Sequence, residues 1–114
     1  MTDSCDLTQK KCVPCQGGIP PLAADDAKTL LRQATGWQLD QQCRRIQRRF
    51  EFKDFKVAMA FVNRMAELAE SEGHHPDFAV HYSKVNVELW THKIDGLHEN
   101  DFIMAAKINE LGHD

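Results

Sequence analysis

Two alternating runs with almost nothing between them constrain this chain more than any other feature. In Phe78-Ala79-Val80-His81-Tyr82 and in Val85-Asn86-Val87-Glu88-Leu89-Trp90-Thr91 every second residue belongs to one face, and only Ser83-Lys84 separates the runs. A period of two marks a strand with one buried face, and so short a link forces an antiparallel hairpin. The link does this without the glycine that such a turn prefers.

A second pair precedes it. Trp37 and Leu39 alternate with polar neighbours, Asp40-Gln41-Gln42 allows a reversal, and 44–52 again has a period of two. Ile46, Phe50 and Phe52 fall on one face, with Arg45, Gln47, Arg49 and Glu51 on the other. Arg48 breaks the pattern, since parity puts it on the apolar side; a strand end or an oligomer contact would let it reach water.

Helical periods surround the hairpins. From about Ala24, apolar residues recur as Ala27, Leu30, Leu31 and Ala34, with Asp25 and Asp26 in the first turn and Gly36 as the stop. Asp54 caps a long helix whose stripe is Phe55, Met59, Val62, Ala66 and Ala69, widened by Phe61 and Leu68. Gly73 ends it and Pro76 forbids continuation. A last helix over 99–111 carries Met104, Ala105, Ile108 and Leu111 on one side. The order α-β-β-α-β-β-α predicts an α+β fold, a four-stranded antiparallel sheet with three helices packed on one face. Residues 1–21, with Gly17-Gly18 and Pro20-Pro21, read as an irregular N-terminal arm, and 22–114 as the domain.

At 114 residues, 42% hydrophobic and 27% charged, the chain suits one globular core. A net charge of -3 gives no reason to expect nucleic acid, and no apolar run approaches the roughly 20 residues of a membrane span. Met1 to Asp6 lack the basic and apolar regions of a signal peptide, so a cytoplasmic location is expected. Cys5, Cys12, Cys15 and Cys43 fit that location as free thiols. Cys12-Val13-Pro14-Cys15 has neither a second pair for zinc nor the strand-to-helix setting of a redox motif.

The chemistry lies in the histidines. His74 and His75 stand at a helix exit between Gly73 and Pro76, a turn that faces solvent. His92 closes the fourth strand and shares the parity of Asn86, Glu88 and Trp90, away from Val85, Val87 and Leu89. The site is therefore expected at one end of the sheet, on its helix-free side, with Trp90 walling the pocket or making a subunit contact. Imidazole, with an unperturbed pKa of about 6.5, both gives and takes protons near neutrality. An acid–base enzyme or a metal site follows. His81 and His98 read as an ordinary strand residue and a residue near a helix cap.

Glu70 four residues before His74-His75-Pro76, then Tyr82, Thr91-His92, Gly96-Leu97 and Asp101, narrow the choice. This string resembles the signature of the pterin-4a-carbinolamine dehydratase family, and the element order extends the likeness over about 22–112. The resemblance implies that His74, His75, His92 and Asp101 form the catalytic set. Glu70, Pro76 and Thr91 would bind the substrate with those histidines. Two of these have a plainer reading: Asp101 would cap its helix in any case, and Glu70 would suit a helix surface. The implied reaction removes water from a 4a-hydroxytetrahydropterin left by an aromatic amino acid hydroxylase, such as a phenylalanine hydroxylase. It needs no metal, flavin or nicotinamide. The family also implies a homodimer or homotetramer, which would cover the edge strands. Two alternatives stand beside it. One is a non-catalytic binding role, since animal relatives are dimerisation partners of a homeodomain transcription factor. The other is a metal site built from His74, His75, His92 and Asp101.

Overall fold

The computed structural model describes residues 7–13 and 17–111. Its elements are α1 (Ala24–Leu31), β1 (Gln38–Leu39), β2 (Ile46–Glu51), α2 (Phe55–Glu72), β3 (Asp77–His81), β4 (Lys84–Leu89) and α3 (Glu99–Leu111). The strands form one antiparallel sheet in the order β1-β2-β4-β3. The two central strands run in register from Ile46 opposite Leu89 to Glu51 opposite Lys84. That register gathers Ile46, Phe50, Val85, Val87 and Leu89 on a buried face beneath the helices. Gln47, Arg49 and Asn86 emerge on the bare face. In the β3–β4 link, Tyr82 adopts the left-handed backbone (φ 55°) that a glycine would ordinarily supply.

Asp54 begins α2 as expected, its carboxylate accepting the Val57 N–H at 2.9 Å. The buried stripe, however, is Ala58, Phe61, Val62, Met65 and Ala69, whereas Phe55 and Ala66 are exposed. Phe61 decides the rotation. Its ring packs 4.8 Å from Phe50 and 5.0 Å from Phe52, and that aromatic cluster draws its side of the helix inward. Helix α3 also departs from its expected one-sidedness, for it is buried from Asn100 to Ala106 and again at Ile108. The sheet, α1 and α2 cover it on several sides, and the N-terminal segment covers another.

The described residues of that segment are irregular apart from one 3-10 turn, Leu7–Gln9, yet Leu7 and Cys12 are buried in the common core. Near its end Leu22 donates to the Leu97 carbonyl at 2.8 Å. Gly96 belongs there because a Cβ would meet Pro21 at 2.6 Å. Cys12 and Cys43 are free thiols, while Cys5 and Cys15 lie outside the described residues. Arg48 needs neither a strand end nor a partner subunit. Its guanidinium leaves the helix layer beside Gly36, donating to Thr35 O at 2.8 Å and Asn109 Oδ1 at 2.7 Å. No helix among the described residues is long and apolar enough to cross a membrane.

Candidate active site

His74, His75 and His92 line one cleft of about 480 Å³ at the end of the sheet, together with Pro76, Trp90 and Thr91. Local backbone geometry aims the first two. Gly73 takes a left-handed conformation (φ 68°), and the N–H groups of Gly73 and His74 both return to the Ala69 carbonyl. The chain turns out of α2 there, and the neighbouring imidazoles diverge.

His74 turns inward. Its Nε2 lies 2.6 Å from Asp101 Oδ1, with the imidazole 12% exposed and the carboxylate wholly buried. The second oxygen of Asp101 accepts the Thr91 hydroxyl at 2.8 Å and the His98 N–H at 3.0 Å. His98 Nδ1 in turn accepts the Asn100 N–H at 3.0 Å, so Asp101 and His98 cap α3 reciprocally. The capping and active-site readings of Asp101 thus describe two oxygens of one carboxylate. Thr91 is fixed by its N–H to the Gly96 carbonyl at 2.8 Å.

His75 turns outward to Glu70, Nε2 to Oε2 at 2.6 Å, and both side chains are exposed. Glu70 stands outside the cleft wall and reaches it only through His75. His92 does not close the fourth strand as expected. β4 ends at Leu89, and His92 opens a 3-10 turn, His92–Ile94, inside a loop pinned by the Thr91–Gly96 bridge. Its ring stacks on Trp90 with centroids 3.9 Å apart and planes at 23°. The site therefore straddles the sheet end, with His92 and Trp90 toward the bare face and His74 toward the helices. Trp90 walls the cleft, as one of its two expected roles required.

Four further residues belong to this neighbourhood and were not singled out from sequence. Asp77 Oδ2 accepts Trp90 Nε1–H at 3.0 Å and lies 3.6 Å from His92 Nε2. Arg45 places its guanidinium carbon 4.1 Å from the Trp90 ring centre. Strand parity held the signal for both, since Asp77 and Arg45 share the bare face with Trp90. Val13 and Asn100 form the opposite wall, joined by Val13 N–H to Asn100 Oδ1 (3.0 Å) and Asn100 Nδ2–H to Val13 O (2.6 Å). No local pattern links positions so distant in sequence.

Beneath that wall, Glu72 accepts the Cys12 N–H at 2.8 Å and the Lys107 ammonium at 2.6 Å. Burial acts to raise the Glu72 carboxyl, but Lys107 and the Cys12 N–H outweigh it and hold the group below the usual carboxylate range. Burial, with the Glu72 charge beside it, pushes the Cys12 thiol up to about 12, so it stays protonated. A larger trough of about 930 Å³ on the bare face is lined by Gln47, Arg49, Asn86 and Glu88 among others, without an imidazole. Among the described residues no three His, Cys, Asp or Glu side chains converge as a metal site.

The sequence pattern of the family described as Pterin 4 alpha carbinolamine dehydratase matches residues 20–111. The chain belongs to this family. A protein of Methylococcus capsulatus, provisionally named a pterin-4-alpha-carbinolamine dehydratase, is 51% identical over 109 residues, 96% of each chain. One from Halorhodospira halophila with the same provisional name is 53% identical over 106 residues, 93% of this chain and 97% of its own. The crystal structure of a transcriptional coactivator/pterin dehydratase from Brucella melitensis superposes with a TM-score of 0.78 at 36% identity, covering 82% of this chain and 99% of that one. A pterin dehydratase-like protein identified as a RuBisCO assembly factor in the alpha-carboxysome shares the fold at a TM-score of 0.60 and 23% identity, over 70% of this chain and 93% of its own. In this pterin carbinolamine dehydratase family member, three imidazoles face one cleft and each has a carboxylate beside it. Such a set is equipped for paired proton donation and acceptance on one bound molecule.

Proposed function

We propose that the cleft dehydrates a 4a-hydroxytetrahydropterin to the quinonoid dihydropterin, with histidines as general acid and base. One observation carries the reading: His74, seated on a fully buried carboxylate, faces the same cleft as His75 and His92. Family membership supports it.

The reaction breaks the C4a–O bond. Hydroxide leaves poorly, so the oxygen takes a proton as the bond breaks, while the N5 lone pair forms the C=N bond. Water departs, and the resulting iminium gives up a proton to become the neutral quinonoid product. One acid and one base balance these steps, each worth about 10²–10⁴ in rate. His74 and His92 are assigned the proton transfers, and His75 holds the pterin. Asp101 fixes the His74 ring through their 2.6 Å hydrogen bond. Pro76 and Thr91 shape the floor, and Glu70 orients His75. The pterin is supplied by an aromatic amino acid hydroxylase, with a phenylalanine hydroxylase as the expected source. The protein acts in the cytoplasm as a homodimer or homotetramer. Its exposed Phe55 and Phe78, the latter on the edge strand β3, support that assembly.

The test is a dehydration assay. 4a-hydroxytetrahydropterin is generated with a phenylalanine hydroxylase and its decay is followed by ultraviolet absorbance. Wild type is expected to accelerate the decay, and His74→Ala and His92→Ala each to lose about 10²–10⁴ of that acceleration while remaining folded. A folded wild-type protein that gives no acceleration defeats the proposal and leaves a protein-binding role.

A further inference from the structure

We infer that Asp77 is a positioning residue that sets the orientation and tautomer of His92 through Trp90. Its catalytic meaning rests on the dehydratase reading; its geometry does not.

His92 needs such help. Its side chain is 60% exposed and follows the last residue of β4 by three positions, so neither core packing nor a strand ladder holds the ring. An unrestrained surface imidazole samples several rotamers, and a proton-transfer group must sit within hydrogen-bond reach of its target. Three chain segments supply the restraint. The β2–β4 register, Ile46 opposite Leu89, continues to bring Arg45 against Trp90. The β3–β4 register, Asp77 opposite Glu88, brings the carboxylate to the Trp90 indole N–H. Trp90 is thereby held by a charge over its ring and by a hydrogen bond at its edge, and His92 lies stacked on it.

Asp77 also acts on His92 directly. At 3.6 Å its carboxylate oxygen is too far from Nε2 for a good hydrogen bond but close enough to attract a proton there. The neutral ring is therefore biased toward Nε2–H, which leaves Nδ1 as acceptor. The Asp77 side chain is itself 56% exposed, so a surface pair of this kind adds little to fold stability. Its variants are expected to fold.

The test combines kinetics with a readout independent of catalysis. Asp77→Ala is expected to lower kcat about five- to tenfold, the size of one exposed charge pair plus one aromatic contact, with KM within about twofold. Asp77→Glu is expected to restore most of the loss. In a His92→Ala background, Asp77→Ala is expected to cost nothing more. Nitrogen-15 NMR of the His92 ring is expected to show the Nε2–H form in wild type and a tautomer mixture in Asp77→Ala. An unchanged His92 spectrum, or an equal kinetic loss without His92, overturns the inference. A changed spectrum in a protein with no dehydratase activity keeps the positioning role and removes the reaction.

Discussion

Two ends of one cleft carry pairs made from the same groups in opposite surroundings. At the inner end, Asp101 is wholly buried and His74 nearly so; at the rim, His92 and Asp77 are both more than half exposed. The buried carboxylate has to be saturated, and it is, by His74, Thr91 and His98 together. The exposed one keeps water as a partner and holds its histidine through a stacked indole. The contrast recurs within one turn of α2, where Glu72 is sealed beside Lys107 and Glu70 stands in solvent. Burial thus makes a carboxylate structural as well as chemical, whereas exposure separates the two duties.

The comparison breaks most visibly at Asp101. Asp101→Ala takes away the buried carboxylate shared by the His74 ring, the Thr91 hydroxyl and the His98 N–H, and removing one partner of a buried pair costs about 3–5 kcal/mol. At about 4–8 °C per kcal/mol, the melting midpoint is expected to fall by at least about 12 °C. A variant that melts like wild type would show that burial carries no structural duty here. Thr91→Val removes a single donor, and about 1 kcal/mol is expected by denaturant titration.

Glu72 sharpens the comparison through pH. Its folded-state pKa is lowered from 4.5, so its ionised form adds stability above that value. The contribution is lost as pH falls through the depressed pKa, where the folded state must finally take up the proton. Urea titrations from about pH 7 to about pH 3 are expected to give Glu72→Gln a lower stability near neutrality and a flatter acid limb. Parallel curves for the two proteins would refute the pairing with Lys107. The smallest effect is expected at Glu70, where Glu70→Gln should leave stability within about 0.5 kcal/mol while weakening pterin binding through His75. A melting shift as large as that of Asp101→Ala would erase the distinction.

Legibility in the sequence followed the range of each interaction. Alternation in Val85 to Leu89 and the Asp54 and Gly73 caps are local, and they placed the sheet and α2 directly. The three histidines and Asp101 were legible as a motif of fixed spacing. On α2 the expected Phe61, Val62 and Ala69 are buried, while Phe55 and Ala66 are exposed, because the helix is turned by the packing of Phe61 on Phe50 and Phe52, which lie outside any helical window. The enclosure of α3 and the wall made by Val13 and Asn100 were hidden for the same reason: positions 87 apart met only in the folded chain. Asp77 was within reach of parity reasoning but had no motif to mark it.

The tie between His74 and Asp101 also has an order in time. Asp101 is made 27 residues after the histidine it holds, a delay of a few seconds at about 5–20 residues per second. Until that stretch emerges, His74 and Thr91 exist without their common carboxylate and α3 is uncapped by it. The completed cleft is therefore a late product of synthesis, and a chain interrupted before residue 101 would present His74 with no buried anion to hold it.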